Sequence, residues 1–293
     1  MTRRDFLKQT ASAAVGSALY LGTTSQLIAA MKQDKIKVVL VRHKAAVDSQ
    51  GNSGRAVLEQ MLDDAVVALS GEAKPELAWK KWIQADDIVG IKTNVWSPLP
   101  VPTELEDILR DKVLKSGVDE RRIGIRDRGL LGDQIFTSAT ALINVRPLRT
   151  HYWSGVGSLL KNYITFVPRP SAYHDDTCAD LASIWKMPLV EGKTRLNILV
   201  VLTPLFHGTG PHHFNPQYVW TYQGLLVGTD PVAIDSVGVR LLQAKRREFF
   251  GEDRPLNPPP KHVFLADTRH HLGVADPAKI ELIKIGWEEE VLL

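Results

Sequence analysis

One cysteine, Cys178, is the entire thiol content of this 293-residue chain. It permits no intrachain disulfide and no four-cysteine iron–sulfur or zinc centre, since both need further thiolates. In an oxidising compartment a lone thiol is safest when buried. The segment DDTCADLASIW sets Cys178 in helical register with Leu181 and Ile184, which predicts burial. Long apolar runs are also missing: the weakly apolar stretch at residues 11–22 falls short of the roughly 20 residues a membrane span needs. Excess charge of one sign is absent too. The net charge is +3, and removing Arg3, Arg4 and Lys8 against Asp5 leaves 33 basic and 32 acidic residues, no footprint for nucleic acid. There are no repeats and no low-complexity tract. No G-x-S-x-G elbow offers a nucleophilic serine, and no H-E-x-x-H spacing offers a zinc helix.

The N-terminus carries the most specific motif. Residues 2–8 read TRRDFLK, the short apolar run follows, and LIAA closes at Ala30. A positive n-region, a short h-region and a small residue at the end form an export signal. The pair Arg3-Arg4 matches the twin-arginine type. The expected organisation is a signal over residues 1–30, cleaved after Ala30, and a single α/β domain over 31–293. The expected partner is the twin-arginine translocation machinery, and the expected location is the periplasm or another exported site. The mature chain is expected to have no transmembrane span.

An apolar fraction of 44% suits one sizeable globular domain. Apolar strands are predicted at residues 36–41, 87–91, 123–127, 141–145, 196–202 and 224–228. The alternating run at 279–285 predicts an edge or half-exposed strand. Helices are predicted at 53–69 and from Thr103 to about Ser116, the latter with Glu106 closing a capping box. GVGSLLKN predicts a short helix over 155–162, and Gly273 is expected to stop a helix that carries His270 and His271. Strands alternating with helices imply an α/β fold, with a mainly parallel or mixed sheet covered by helices on both faces. Ligands on such sheets sit beyond the carboxyl ends of the strands. That rule directs attention to KTN at 92–94, RDR at 126–128 and the loop HGTGPHH at 207–213, which could share one cleft.

In GTDPVAIDSVG, Asp230-Pro231 is a helix start, with Asp as N-cap and Pro at the first helical position. Asp235 is then either a second-turn residue of no special role or a cleft carboxylate. The loop at 207–213 holds three of the nine histidines. His212 and His213 point opposite ways if the segment is extended, so only one joins His207. His174 with Asp175 could complete a metal set with His207 and His213; the alternative is loop histidines that cap backbone groups. The glycines Gly208 and Gly210 are not followed by GK[ST], and Pro211 removes a donor, which argues against nucleotide binding.

Taken together, IKTN (91–94), INVRPLRTH (143–151), LLKN (159–162), HGTGP (207–211) and GTDPVAIDSVG (228–238) resemble the domain of unknown function 362 family, in its twin-arginine-exported branch. The likeness runs from about residue 36 to 285. It implies Lys92, Lys161 and Asp235 as catalytic candidates and Asn94, Arg149, His151, Asn162 and Asp230 as substrate-binding candidates. Arg149 stands where relatives often have Lys, and Val200 where they often have Asp. The family brings no settled reaction. Three cations, Lys92, Arg149 and Lys161, point to a small anionic or polar substrate. The resulting expectation is a metal-dependent enzyme with a divalent ion and no iron–sulfur cluster. The alternative is a non-catalytic periplasmic protein that holds an anionic ligand or a metallocofactor.

Overall fold

The computed structural model describes residues 35–208, 210 and 212–293. Arg3, Arg4, the cleavage point after Ala30, Thr209 and Pro211 lie outside them. Eight strands form one sheet: β1 (Ile36–Arg42), β2 (Val89–Lys92), β3 (Ile123–Arg126), β4 (Ala141–His151), β5 (Gly155–Gly157), β6 (Thr194–Leu205), β7 (Gly224–Gly228) and β8 (Ile280–Gly286). Their order is β3-β2-β4-β6-β7-β1-β8, with β5 folded back on β4. Pairings are parallel except those of β7 with β1 and β6, and of β5 with β4. The sheet is therefore mixed and mostly parallel. β8 is an edge strand, as its alternating pattern predicts.

Strand alternation feeds two apolar cores. Val38 and Leu40 enter one; Val39 and Val41 enter the other. Helices α1 (Arg55–Ser70), α2 (Pro75–Trp82) and α3 (Thr103–Lys115) cover the Val39 face. The Val38 face is covered by α4 (Gln134–Ser138), α5 (Leu159–Asn162), α6 (Pro231–Phe250) and α7 (Lys261–Thr268). A sheet buried on both faces explains why its central strands read as near-continuous apolar runs. Among the described residues, no helix is long and apolar enough to cross a membrane.

Several local expectations give way to stronger constraints. The fourth strand does not stop at Val145 but runs to His151. Pro147 lacks the N–H of a central ladder, and the structure accommodates it with a register shift between Pro147 and Arg149, as a bulge does. The segment GVG is a strand, and the helix begins only at Leu159. Gly155 has φ +73°, and a Cβ there would collide with the Pro258 carbonyl oxygen. The capping box at α3 does not form: Thr103 is already helical, and Glu106 instead accepts a short hydrogen bond from the Thr93 hydroxyl. Gly273 does not stop α7. That helix ends at Thr268, and His271 takes the left-handed turn at φ +50°. Cys178 is buried as expected, but at positive φ after a single kinked turn rather than within a regular helix.

Candidate anion-binding site

One row of the sheet carries polar residues where apolar ones would be ordinary. Arg126 pairs with Lys92, Lys92 with Asn144, Asn144 with Asn197, and Asn197 with Gly228. Lys92, Asn144 and Asn197 are buried, so each must be satisfied internally. Lys92 Nζ donates to the Thr93 carbonyl (2.6 Å), Asp127 Oδ1 (2.8 Å) and Asn162 Oδ1 (3.2 Å). Asn162 Nδ2 donates to Asn144 Oδ1 (2.8 Å) and the Val145 carbonyl (3.0 Å). Asn144 Nδ2 donates to Asn197 Oδ1 (3.1 Å), and Asn197 Nδ2 reaches the Thr229 carbonyl (3.0 Å). The chain of bonds ties the KTN and RDR segments and the Lys161-Asn162 turn into one rigid floor. Burial pulls the Lys92 ammonium down to about 8 despite Asp127. Burial alone would raise Asp127, but Lys92 beside it brings that carboxyl below its ordinary range.

Above this floor stands a group of buried cations. Lys92, Arg146, Arg149 and Lys161 are each at most 4% exposed. The register shift after Pro147 breaks the two-residue alternation, so Arg146, Arg149 and His151 all lie against Gly157. A Cβ at Gly157 would stand 3.2 Å from Arg146 Nη2 and 3.4 Å from both Arg149 Cγ and His151 Cδ2. The carboxylates acting on Arg146 are Asp127 and Asp235. Burial lowers Arg146 to about 10 and pushes Arg149 well down, the latter also repelled by Arg146. A guanidinium nevertheless stays charged. The decisive observation is that Arg149 Nε and Nη1 and Arg146 Nε are buried with no hydrogen-bond partner among the described residues. Each such donor costs about 1–3 kcal/mol if left unmet. Arg149 has partial relief, its guanidinium lying 4.1 Å from the Trp96 ring centre.

The neighbouring histidines are neutral. Burial, then Lys161 and Arg149, pushes His151 far below the usual imidazole range. Its Nδ1 accepts the Trp153 N–H at 3.2 Å, which leaves the proton on Nε2. Burial, then Lys161 and Arg146, lowers His262 to about 3, and both its ring nitrogens are buried without partners. Asn94 Oδ1 is likewise buried and unpartnered.

The two aspartates of DPVAID are structural supports. Asp230 caps α6, with Oδ1 accepting from Val232 N (2.8 Å) and Ala233 N (3.0 Å) and Oδ2 from Val274 N (2.9 Å). Asp235 is fully buried and holds the turn at α5. It accepts from Ser158 Oγ (2.7 Å), Leu159 N (2.9 Å) and Leu160 N (2.9 Å). It thereby sets the two residues that follow, Lys161 and Asn162, against the floor.

The histidine loop packs against Tyr152 and Trp96 without forming the expected metal set. Among the described residues, no three His, Cys, Asp or Glu side chains come together in a way that could hold a metal. His207 Nδ1 accepts from Arg246 Nη1 at 2.9 Å, and its ring packs on Tyr218 and Phe250. His213 and Asp175 are exposed. His174 stacks on Trp153 with ring centres 3.7 Å apart. The physical reason is competition: each imidazole already has an aromatic or guanidinium neighbour, or faces solvent. The loop does reach the cleft wall. The Gly210 carbonyl accepts from Tyr152 N at 3.3 Å, and Phe214 meets the Trp96 ring edge-on.

Val200 lies elsewhere. It lines a cavity of about 380 Å³ with Pro147, Leu202 and Thr203 on the Val39 face. Arg146 pairs in register with Leu199, on the opposite face. An aspartate at 200 would therefore point away from the cations.

Asp127 lies in the RDR segment that the strand-end rule singles out, and Arg146, Asn144, Asn197 and His262 complete the site beyond the residues expected from sequence. Two carried a legible signal: an asparagine inside an apolar strand, as in ALINV and LNILVV, demands a buried partner. His262 gave none.

The fold and this cluster define an α/β protein with under-neutralised buried cations towards the carboxyl ends of its parallel strands. Residues 121–240 match the family model described as domain of unknown function (DUF362). That span includes Asp127, Arg146, Arg149, Lys161 and Asp235. No curated protein matches the chain, and no solved structure matches it.

Gly157→Ala provides a local check. The added methyl crowds the Arg146 and Arg149 side chains without requiring a backbone change. We expect anion affinity to fall about tenfold while stability changes by less than about 1 kcal/mol. Calorimetric titration with phosphate, beside urea denaturation, measures both.

Proposed function

We propose that this protein binds a small ligand bearing a carboxylate or phosphate in the cleft over Arg149, Arg146 and Lys161, after export by the twin-arginine route. The observation that carries the reading is the pair of buried guanidinium groups with unpartnered N–H donors. Arginine forks fit carboxylate and phosphate oxygens, and an anion there would offset the four buried cations. Binding is common to the enzymatic and the non-catalytic alternatives. The metal half of the first alternative has no support in the placement of His207, His213, His174 and Asp175, so the proposal is confined to the anion.

The test is thermal and chemical denaturation with phosphate, sulfate and lactate. A ligand at a hundred times its Kd adds about 2.7 kcal/mol of stability. A melting temperature indifferent to all three anions at high millimolar concentration would remove the proposal. Export is tested separately by fractionating cells that carry Arg3→Lys with Arg4→Lys. We expect the protein to vanish from the periplasm; undiminished periplasmic protein would count against the twin-arginine route.

A further inference from the structure

Lys161 differs from the other cations in its surroundings. Its Nζ donates to Cys178 Sγ at 3.3 Å, and among the described residues no carboxylate pairs with it. A buried ammonium without a carboxylate is disfavoured against the neutral amine. The charged and titratable groups acting on it are Cys178, Arg146 and Arg149. Its own charge is felt by His151, His174 and His262. Burial, opposed by Cys178 and reinforced by the two arginines, brings Lys161 down to about 8. On its outer side stands Trp153, 41% exposed, with Nζ 5.9 Å from the ring centre. Trp153 lies in the turn between β4 and β5, so it walls the amine from solvent without locking it into the core.

We propose that Lys161 is a nucleophile that forms an imine with a small 2-oxo acid whose carboxylate rests on Arg149 and Arg146. The inference rests on the anion-binding reading above and names its ligand class. A 2-oxo acid places a carbonyl carbon next to its carboxylate, and here an amine lies within the field of two free guanidinium groups. The neutral Lys161 amine adds to the carbonyl carbon, and its proton passes to the oxygen to give a carbinolamine. The C–O bond then breaks, and the hydroxyl departs as water with one added proton. The nitrogen lone pair closes the C=N bond. Added water reverses each step, and no oxidant or reductant is needed. The added proton is drawn from solvent water.

The experiment uses the purified full chain with pyruvate and sodium cyanoborohydride, followed by intact mass and peptide mapping. The expected result is one reduced pyruvate adduct per chain, confined to the Lys161 peptide and formed faster as pH rises through about 8. Lys161→Arg keeps the charge but has no nucleophilic amine, and should abolish the adduct; lactate, which has the carboxylate but no carbonyl, reports anion binding by the wild type separately. If wild type is stabilised by lactate yet forms no adduct, the imine is overturned and the anion reading stands. An adduct spread over exposed lysines also overturns it. If phosphate, sulfate, lactate and pyruvate all leave the melting temperature unchanged and no adduct forms, the anion reading falls with it. Wild-type trapping decides the matter even if the variant misfolds.

Discussion

Arg149→Met is expected to make the unliganded protein more stable and to remove its response to anions. Methionine fills a similar volume without a charge. The desolvation penalty of a buried ion is several kcal/mol, and replacement of buried ions by apolar residues often gains about 1–4 kcal/mol. Arg149 recovers only part of its penalty, because Nε and Nη1 have no partner and its neighbour Arg146 repels it. Contact with Trp96 returns about 0.5–2 kcal/mol, less than the penalty. We therefore expect a net gain of about 1–3 kcal/mol in urea denaturation, about 2–4 °C in melting temperature per kcal/mol. Anion affinity should drop about 10–100-fold, the cost of a lost charged hydrogen bond. Loss of stability together with retained stabilisation by phosphate would mark Arg149 as a structural cation. An opposite sign for stability and binding separates a residue kept for a ligand from one kept for the fold.

The strands were the most legible part of this chain, because burial on both faces writes itself as an uninterrupted apolar run. Residues 224–228 and 36–41 fall on β7 and β1 almost residue for residue. The errors occur where a long-range contact outweighs a local rule. Pro147 ought to end a central strand, yet a register shift carries β4 through it. Glu106 ought to close a capping box, but Thr93, thirteen residues away, claims its carboxylate. Gly273 ought to stop a helix, but its neighbour is the Asp230 carboxylate, which leaves no room for a side chain there.

The site was partly legible for a related reason. The strand-end rule points to Lys92, the family resemblance adds Arg149, His151, Lys161 and Asn162, and the five do converge. By simple alternation Arg146 falls on the face opposite Arg149. Only the register shift brings both to Gly157. The histidine cluster misled because closeness in sequence is not closeness of ring nitrogens. His207 turns to Arg246, while His174 stacks on Trp153. Spacing leaves Asp235 as either an ordinary second-turn residue or a cleft carboxylate; in the structure it accepts from Ser158, Leu159 and Leu160 and so holds the backbone that presents Lys161.

That role makes Asp235→Ala the most damaging single change we expect. The substitution strands the Ser158 hydroxyl and the Leu159 and Leu160 amides in a dry interior. Summed over three donors and a small cavity, the loss is about 3–5 kcal/mol at neutral pH. The cost should also depend on pH with a definite sign. Burial raises the Asp235 carboxyl from an ordinary 3.8 to about 6, although Leu160, Ser158, Leu159 and Arg146 oppose it. A raised folded pKa means the folded state binds the proton more tightly. The corresponding stability, about 3 kcal/mol, is full below pH 3.8 and is lost as pH climbs through about 6. The alanine variant has no such group, so its deficit relative to wild type should shrink between about pH 4 and pH 6.5. Urea denaturation of both proteins across that range measures the difference, with their other titrating groups cancelling. A deficit that grows with pH would mean Arg146 and the three donors outweigh burial and hold a charged Asp235. In either case, anion binding should weaken along with stability, because Lys161 and Asn162 lose the turn that aims them at the cleft.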